Sequence, residues 1–432
     1  VLDKTNFYAE MGGQVGDQGR IAVFGASAQG EMRVDNAQVF AGYVLHTGVI
    51  TRGELRVGQT VEVHIDHSAR MPVESNHTAT HLLNWALRRT LGAHVEQKGS
   101  LVAPDRLRFD FANPGQVSAA EPGTVEGFVN YGVKRDLTVY AQLASLDEAR
   151  RIAGLRAVFG EAYPDPVRVV SIGQPVADLL GSPENPAWNE VSVEFCGGTH
   201  VERTSEIERF AVLSEEAVAK GVRRITAVSG TAAEAAFRAA DALAERLDKA
   251  RLLDDAGVGA EAHAVAVAVD QAPIPATRKA LLRAQIATLL ERAKGAEKKL
   301  AQERERAAVD MARRIAESAA TAMEEVIIAT LEVGDDRNAL QSAVKVVRDK
   351  NPRSAVMLLS VDESNQKVSV NAAVPEGWVQ RGLRAGDWVR EVAGVLGGKG
   401  GGKPDSAPGG GTDVKAVRQA LDAARRFAHK FR

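Results

Sequence analysis

His77 and His81 stand four apart in ESNHTATHLL, and the chain's only cysteine, Cys196, stands four before His200 in VEFCGGTHV. Residues four apart share one face of a helix, so the first pair can direct two imidazoles at a single ion. In the second pair, Gly197 and Gly198 fit a tight turn that folds thiolate and imidazole toward one point. Three imidazoles and a thiolate are a donor set for tetrahedral zinc. Either pair alone has an ordinary explanation, since a His pair is commonly just a polar helix face and a lone cysteine a small buried hydrophobe. Together they use four of the ten His and Cys residues of the chain, which favours the metal.

The elements that must position these ligands follow from pattern. Residues 1–66 carry glycine turns and alternating runs such as ELRVGQTVEVHID, which predict an all-β, barrel-like or sandwich subdomain. From His67 to about Gly230 the pattern is mixed α+β. Ser75 or Asn76 is expected to cap the helix carrying the His pair, and RLRFDF, VRVVSIG, SVEFCGG and RRITAVSG read as strands. Residues 231–330 shift to Ala, Glu, Lys and Arg, predicting a helix over TAAEAAFRAADALAERLDKARLL. A Pro273–Pro275 linker then leads to a second helix from near Thr277. Leu282, Leu289 and Ala296, with Ile286, Ala293, Leu300 and Ala307, sketch a thin heptad seam that Glu303 and Asp310 interrupt. A helical spacer or antiparallel hairpin is the expectation there. Residues 331–432 read as a separate α/β domain, with strands in VIIATLEV, SAVMLLSVD and KVSVNAAVP. Helices are expected over about 338–349 and 379–396, and a glycine-rich loop follows. The overall class is α+β multidomain.

The pairs HTATH and CGGTH, in this order and at roughly this separation, resemble the editing domain of alanyl-tRNA synthetase and of its free-standing editing relatives. FYAEMGGQVGDQG (Phe7 to Gly19) resembles that family's Gly-Gly-Gln segment, and HVEQKGSLV (His94 to Val102) and RLRFDF match it after the His pair. LGGKGGGKPDSAPGGG (Leu396 to Gly411) is similar to the glycine-rich signature of the synthetase's C-terminal tRNA-binding domain. The motifs occur in the family's order and span nearly the whole chain.

The resemblance implies a chemistry. A synthetase pocket for alanine cannot reject glycine by size, and serine adds only a hydroxyl, so a second, hydrolytic site is the physical remedy. Its substrate would be serine or glycine wrongly esterified to alanine-specific tRNA, cleaved by water at the terminal adenosine. Gln97 and the Gly12-Gly13-Gln14 segment are candidates for the pocket wall and amino-acid recognition, although Gln97 could equally cap a strand. Asp17 and Asp110 are candidate proton acceptors, with turn or buried-strand roles as strong. A catalytic zinc keeps an open position, whereas His77, His81, Cys196 and His200 would fill a tetrahedron. Two roles for the ion therefore stand open: it organises the pocket, or one ligand yields to water. No segment resembles the class II catalytic domain, so the chain is expected to be a fragment that does not charge tRNA. A free-standing editing hydrolase and a non-catalytic tRNA-binding or dimerising module with a structural zinc are the alternative readings.

Composition agrees with a multidomain globular protein: 432 residues, 45% hydrophobic and 25% charged. A single cysteine excludes an intrachain disulfide and suits the cytosol. No apolar run is long enough to cross a bilayer, so no membrane partner is expected. The net charge of −2 hides a basic tail, since residues 379–432 hold eleven Lys and Arg against five acids. Lys399, Lys403, Arg425 and Arg426 are the candidate tRNA contacts, and the same region is the candidate homodimer contact. The glycine-rich stretch is not a Walker P-loop, because no Ser or Thr follows its Gly-Lys.

Overall fold

The computed structural model describes residues 2–25, 30–158 and 161–432. The strands are β1 (Gly19–Val23), β2 (Gly30–Phe40), β3 (Tyr43–Gly53), β4 (Val61–Ile65), β5 (Gln97–Val102), β6 (Leu107–Ala112), β7 (Val139–Ala144), β8 (Val167–Ile172), β9 (Ser192–Phe195), β10 (Phe210–Ala219), β11 (Val222–Ser229), β12 (Val326–Leu331), β13 (Ala355–Asp362), β14 (Lys367–Ala373), β15 (Lys399–Gly400) and β16 (Ser406–Gly411). The helices are α1 (His67–Leu91), α2 (Glu121–Lys134), α3 (Leu146–Ala149), α4 (Val176–Gly181), α5 (Gly230–Arg251), α6 (Asp255–Gln271), α7 (Ala276–Thr321), α8 (Arg337–Lys350), α9 (Glu376–Gln380), α10 (Ala385–Val395) and α11 (Val417–His429). The chain packs as two units, Val1–Leu289 and Leu290–Arg432.

Asp66 starts the helix that matters most. Its carboxylate accepts from the backbone N–H groups of Ser68 and Ala69, satisfying two donors that a helix start leaves free. The expected cap at Ser75 or Asn76 is therefore wrong by almost three turns. Both residues lie buried inside α1, where Ser75 and Asn76 bond Ser229 and Asn76 also donates to the carbonyl of Ala103. Polar residues that look like caps in the sequence are here satisfied by tertiary partners.

In the first unit, β3-β2-β1-β4 form an antiparallel sheet, and its edge strands β3 and β4 do not pair. The expected barrel is thus an open sheet: four strands are too few to close around a filled interior. The 11-residue strands β2 and β3 outrun the five-residue β1, leaving Val39, Phe40 and Tyr43 exposed. A second antiparallel sheet, β10-β11-β6-β5, is covered by α1 and α2. Leu107, Phe109 and Phe111 alternate inward from β6 onto Leu83 and Leu87 of α1, forming the main core. A three-stranded sheet, β7-β8-β9, has a small core of its own with Leu179 of α4.

Leu282, Ile286, Leu289 and Ala293 of α7 are buried, as the first part of the heptad seam requires. The seam then fails, because Leu300 is 50% exposed and burial resumes on Ala308, Ala312, Ala316 and Ala319. Those alanines pack with Leu340 and Val344 of α8 and Ile327 of β12 in the core of the second unit. Helix α6, between Arg251 and Pro273, was not anticipated; its alternating Ala and Val carry little amphipathic pattern.

The second unit is a five-stranded sheet, β12-β13-β14-β16-β15, parallel only between β12 and β13. Helix α8 covers one face, α10 and α11 the other. The single helix expected over 379–396 is broken into α9 and α10, with Gly382 at φ 105° between them. The glycine-rich stretch is not a loop: it supplies β15 and β16. A Cβ at Gly409 would lie 2.4 Å from Cγ1 of Val389, so glycine is needed where α10 presses on β16.

Candidate metal centre and adjoining cleft

Helix α1 carries His77 and His81 on its buried face, and the turn after β9 carries Cys196 and His200. The four side chains offer ligand atoms that all lie within 4.8 Å of one another. Cys196 Sγ is 3.4 Å from Nε2 of both His77 and His200. Bonds of about 2.3 Å to sulfur and 2.0 Å to nitrogen in a tetrahedron put such atoms roughly 3.5 Å apart, so the spacing suits zinc.

Neighbouring hydrogen bonds choose the ligand atoms. Gln14 Oε1 accepts from the backbone of Thr199 and faces His77 Nδ1 at 2.6 Å, while its Nε2 donates to Thr199 Oγ1. His77 therefore carries its proton on Nδ1 and presents a bare Nε2 to the cluster. Thr78 Oγ1 donates to the carbonyl of Glu74, so it can only accept from His200 Nδ1 at 3.2 Å. This frees His200 Nε2 in the same way. His81 Nδ1 is buried without a partner, and its Nε2 lies 3.7 Å from Glu194 Oε2. An orphaned buried nitrogen in a ring of three other ligands is what a metal would satisfy.

Burial keeps all three imidazoles neutral, as ligands must be. It holds His77 and His200 well below the usual value, aided by neighbouring histidines and Arg168, and lowers His81 to about 3. Burial likewise pushes the Cys196 thiol up to about 11, and a bound cation would reverse that direction. The turn itself is held by Arg168, which donates to the carbonyls of Cys196 and Gly198 at 2.9 and 2.8 Å.

Beside the cluster opens a cleft of about 520 Å³ whose lining includes Asn84, Gln97, Arg156, Tyr163, Glu194 and Phe195. Glu194 bonds Asn84 at 3.0 Å, and burial raises its carboxyl to about 7 against the opposing pull of Arg156. Gln97 opens β5 with its amide donating to Ser100 Oγ. Gln14 instead sits against His77, outside that lining. Asp17 and Asp110 are each engaged by an arginine, Arg70 and Arg224 respectively, so neither is a free proton acceptor. Sequence reasoning passed over Glu194, although a carboxylate inside the apolar run SVEF is the signal of a buried, purposeful charge.

The candidate tRNA contacts do not converge. Lys399 lines a cleft of about 440 Å³ with Arg337, Lys367 and the glycines of β16, on the α8 side of the sheet. Arg425 and Arg426 belong to α11, which covers the opposite face, and Arg425 is paired with Asp422 at 3.2 Å. Among the described residues, no helix is long and apolar enough to cross a membrane.

The profile of the threonyl and alanyl tRNA synthetase second additional domain matches residues 167–226, which hold Cys196 and His200. The DHHA1 domain matches residues 324–430, and tRNA synthetases class II (A) match residues 1–69. The last match shows that residues 1–69, read from the sequence as an all-β subdomain, resemble part of a class II synthetase. Two stretches of the chain thus resemble parts of aminoacyl-tRNA synthetases, and one of them carries Cys196 and His200. The alanine–tRNA ligase, cytoplasmic, of Drosophila melanogaster is 39% identical over 99% of this chain and 45% of its own length. The mitochondrial alanine–tRNA ligase of Saccharomyces cerevisiae is 37% identical over 98% of the chain and 43% of its own. Over nearly its whole length the chain is similar to alanine–tRNA ligases, and it spans somewhat less than half the length of these relatives. A crystal structure of the C-Ala domain from Aquifex aeolicus alanyl-tRNA synthetase overlaps 23% of the chain and 89% of that domain, at 23% identity and a TM-score of 0.20.

Proposed function

We propose that this chain is an editing and tRNA-binding part of an alanine–tRNA ligase. It hydrolyses serine or glycine mis-esterified to alanine tRNA. The observation that carries this reading is a His77–His81–Cys196–His200 cluster joined through Glu194 to a polar cleft that also holds Gln97. In the reaction, water adds to the ester carbonyl, the bond to the ribose oxygen breaks, and free amino acid and deacylated tRNA leave. Asn84 and Gln97 offer amide donors and acceptors that can orient a small polar amino acid. When bound, zinc supplies a fixed positive charge that holds Cys196 as thiolate and ties α1 to the Cys196–His200 turn. Four protein donors leave no open position, which favours an organising ion.

The test is hydrolysis of serine-charged alanine tRNA by the zinc-loaded protein, with and without chelator. Release of serine that stops on metal removal is expected; tRNA binding without hydrolysis would leave a binding module with a structural zinc. Gln97→His should lower deacylation at least about tenfold, because a ring fills the cleft wall, while zinc content stays unchanged. Equal rates would remove Gln97 from the pocket. For the second unit, Lys399→Ala should weaken tRNA binding and reduce the slope of log affinity against log salt by about one, as expected for a lost phosphate contact. An unchanged slope would take Lys399 out of the interface. A cytoplasmic location is favoured by the name of the Drosophila relative, though the yeast relative is named mitochondrial.

A further inference from the structure

Arg156 is an unusual residue for a cleft wall. It is only 8% exposed, its Nε has no hydrogen-bond partner, and its one side-chain bond is a long 3.4 Å contact from NH1 to the carbonyl of Val191. Among the described residues, no carboxylate lies within ion-pair distance of it. Burying a guanidinium this way is costly unless an anion arrives to satisfy it. Burial even depresses it to about 10, against the stabilising pull of Glu194.

None of the cleft acids bonds it directly, and Glu194 acts on it only from beyond ion-pair distance. Glu194 is bonded to Asn84 and faces His81, Glu96 is paired with Lys98 at 3.1 Å, and Glu161 is exposed. Arg150 lies exposed on the same lining, and Tyr163 meets Phe195 edge-on with ring centroids 5.0 Å apart. The cleft thus combines unspent guanidinium donors with aromatic surface, in a volume within the roughly 300–1,000 Å³ of ligand sites. In an aminoacyl ester of RNA the amino acid's carboxylate is consumed in the bond. Phosphate is then the anion left to meet an arginine.

We propose that Arg156, with Arg150 at the mouth, receives the phosphate on the 5′ side of the esterified terminal nucleotide, whose base lies against the Tyr163–Phe195 pair. This rests on the editing reading above and names which part of the substrate the cleft holds. Anchoring the phosphate in the cleft would set the ester beside Gln97 and Glu194.

The experiment measures inhibition of seryl-tRNA hydrolysis by adenosine 5′-monophosphate, adenosine and free serine, using the full zinc-loaded chain. Absence of any seryl-tRNA hydrolysis would defeat the editing reading itself. Given hydrolysis, the monophosphate should inhibit at least about tenfold better than adenosine. That advantage should shrink to about twofold in Arg156→Met, persist partly in Arg156→Lys, and fall partly in Arg150→Ala, with zinc content unchanged as the control on folding. Equal inhibition by the monophosphate and adenosine in the unaltered protein would overturn the proposal. So would an Arg156→Met variant that loses inhibition by serine while keeping the phosphate advantage, because the arginine would then hold the product carboxylate. If Arg156→Met fails to retain zinc, the Arg150→Ala and Arg156→Lys comparisons decide: an undiminished phosphate advantage in both overturns it.

Discussion

Cys196→Ala is expected to bring bound zinc from about one per chain to near none and to abolish most hydrolysis of seryl-tRNA. The thiolate is the only anionic ligand in the cluster, and its Sγ lies 3.4 Å from Nε2 of both His77 and His200. Without it three neutral imidazoles remain, and retention should weaken by at least about a hundredfold. The consequence reaches beyond the ion. Cys196 belongs to the turn that Arg168 fixes and that carries His200, so loss of metal leaves His81 Nδ1 unsatisfied and frees Glu194 to shift in the cleft. Metal analysis and deacylation rates on the same preparation check this. Stoichiometric zinc in the variant would exclude Cys196 as a ligand, and full activity without zinc would separate the cluster from the chemistry.

Gly198→Ala should be nearly as damaging, although glycine to alanine is among the smallest of changes. A Cβ at Gly198 would stand 2.1 Å from Cε1 of His77, 2.4 Å from its Nδ1 and 2.7 Å from Gln14 Oε1. The added methyl would have to displace the ring and break the Gln14 bond that leaves Nε2 bare for the metal. Overpacking of this kind costs about 1–3 kcal/mol, and here the strain falls on a ligand rather than on adaptable core. Gly197→Ala is the matched control, because its Cβ would meet only the flexible end of Met11 at 3.5 Å. Reduced zinc and a lower unfolding midpoint are expected for Gly198→Ala alone. Equal behaviour of the two variants would mean that the turn relaxes and that close approach to His77 is not needed.

The His77–His81–Cys196–His200 cluster was legible because its two halves depend on spacing and residue type. A four-residue step on a helix and a Cys-Gly-Gly-Thr-His turn each define a local pair, and a metal needs only that both exist. Strands with alternating apolar residues, such as Leu107, Phe109 and Phe111, were legible for the same reason: their period is local. What the sequence could not decide is which distant groups meet. Gln14 reads as a pocket residue until the fold sets it against His77, 63 positions away. Ser75 and Asn76 read as caps until Ser229 satisfies them from 154 and 153 positions away. Lys399 and Arg425 read as members of one basic tail until a sheet separates them. The glycines of 397–411 read as a loop, because a glycine says that space is short without saying what takes it; in β15 and β16 that space is taken by Val389, Leu396 and neighbouring backbone. Residue type and period thus determined the donors and most elements. The tertiary structure alone decided tautomers, second partners and the cleft, since these depend on contacts between segments far apart in the chain.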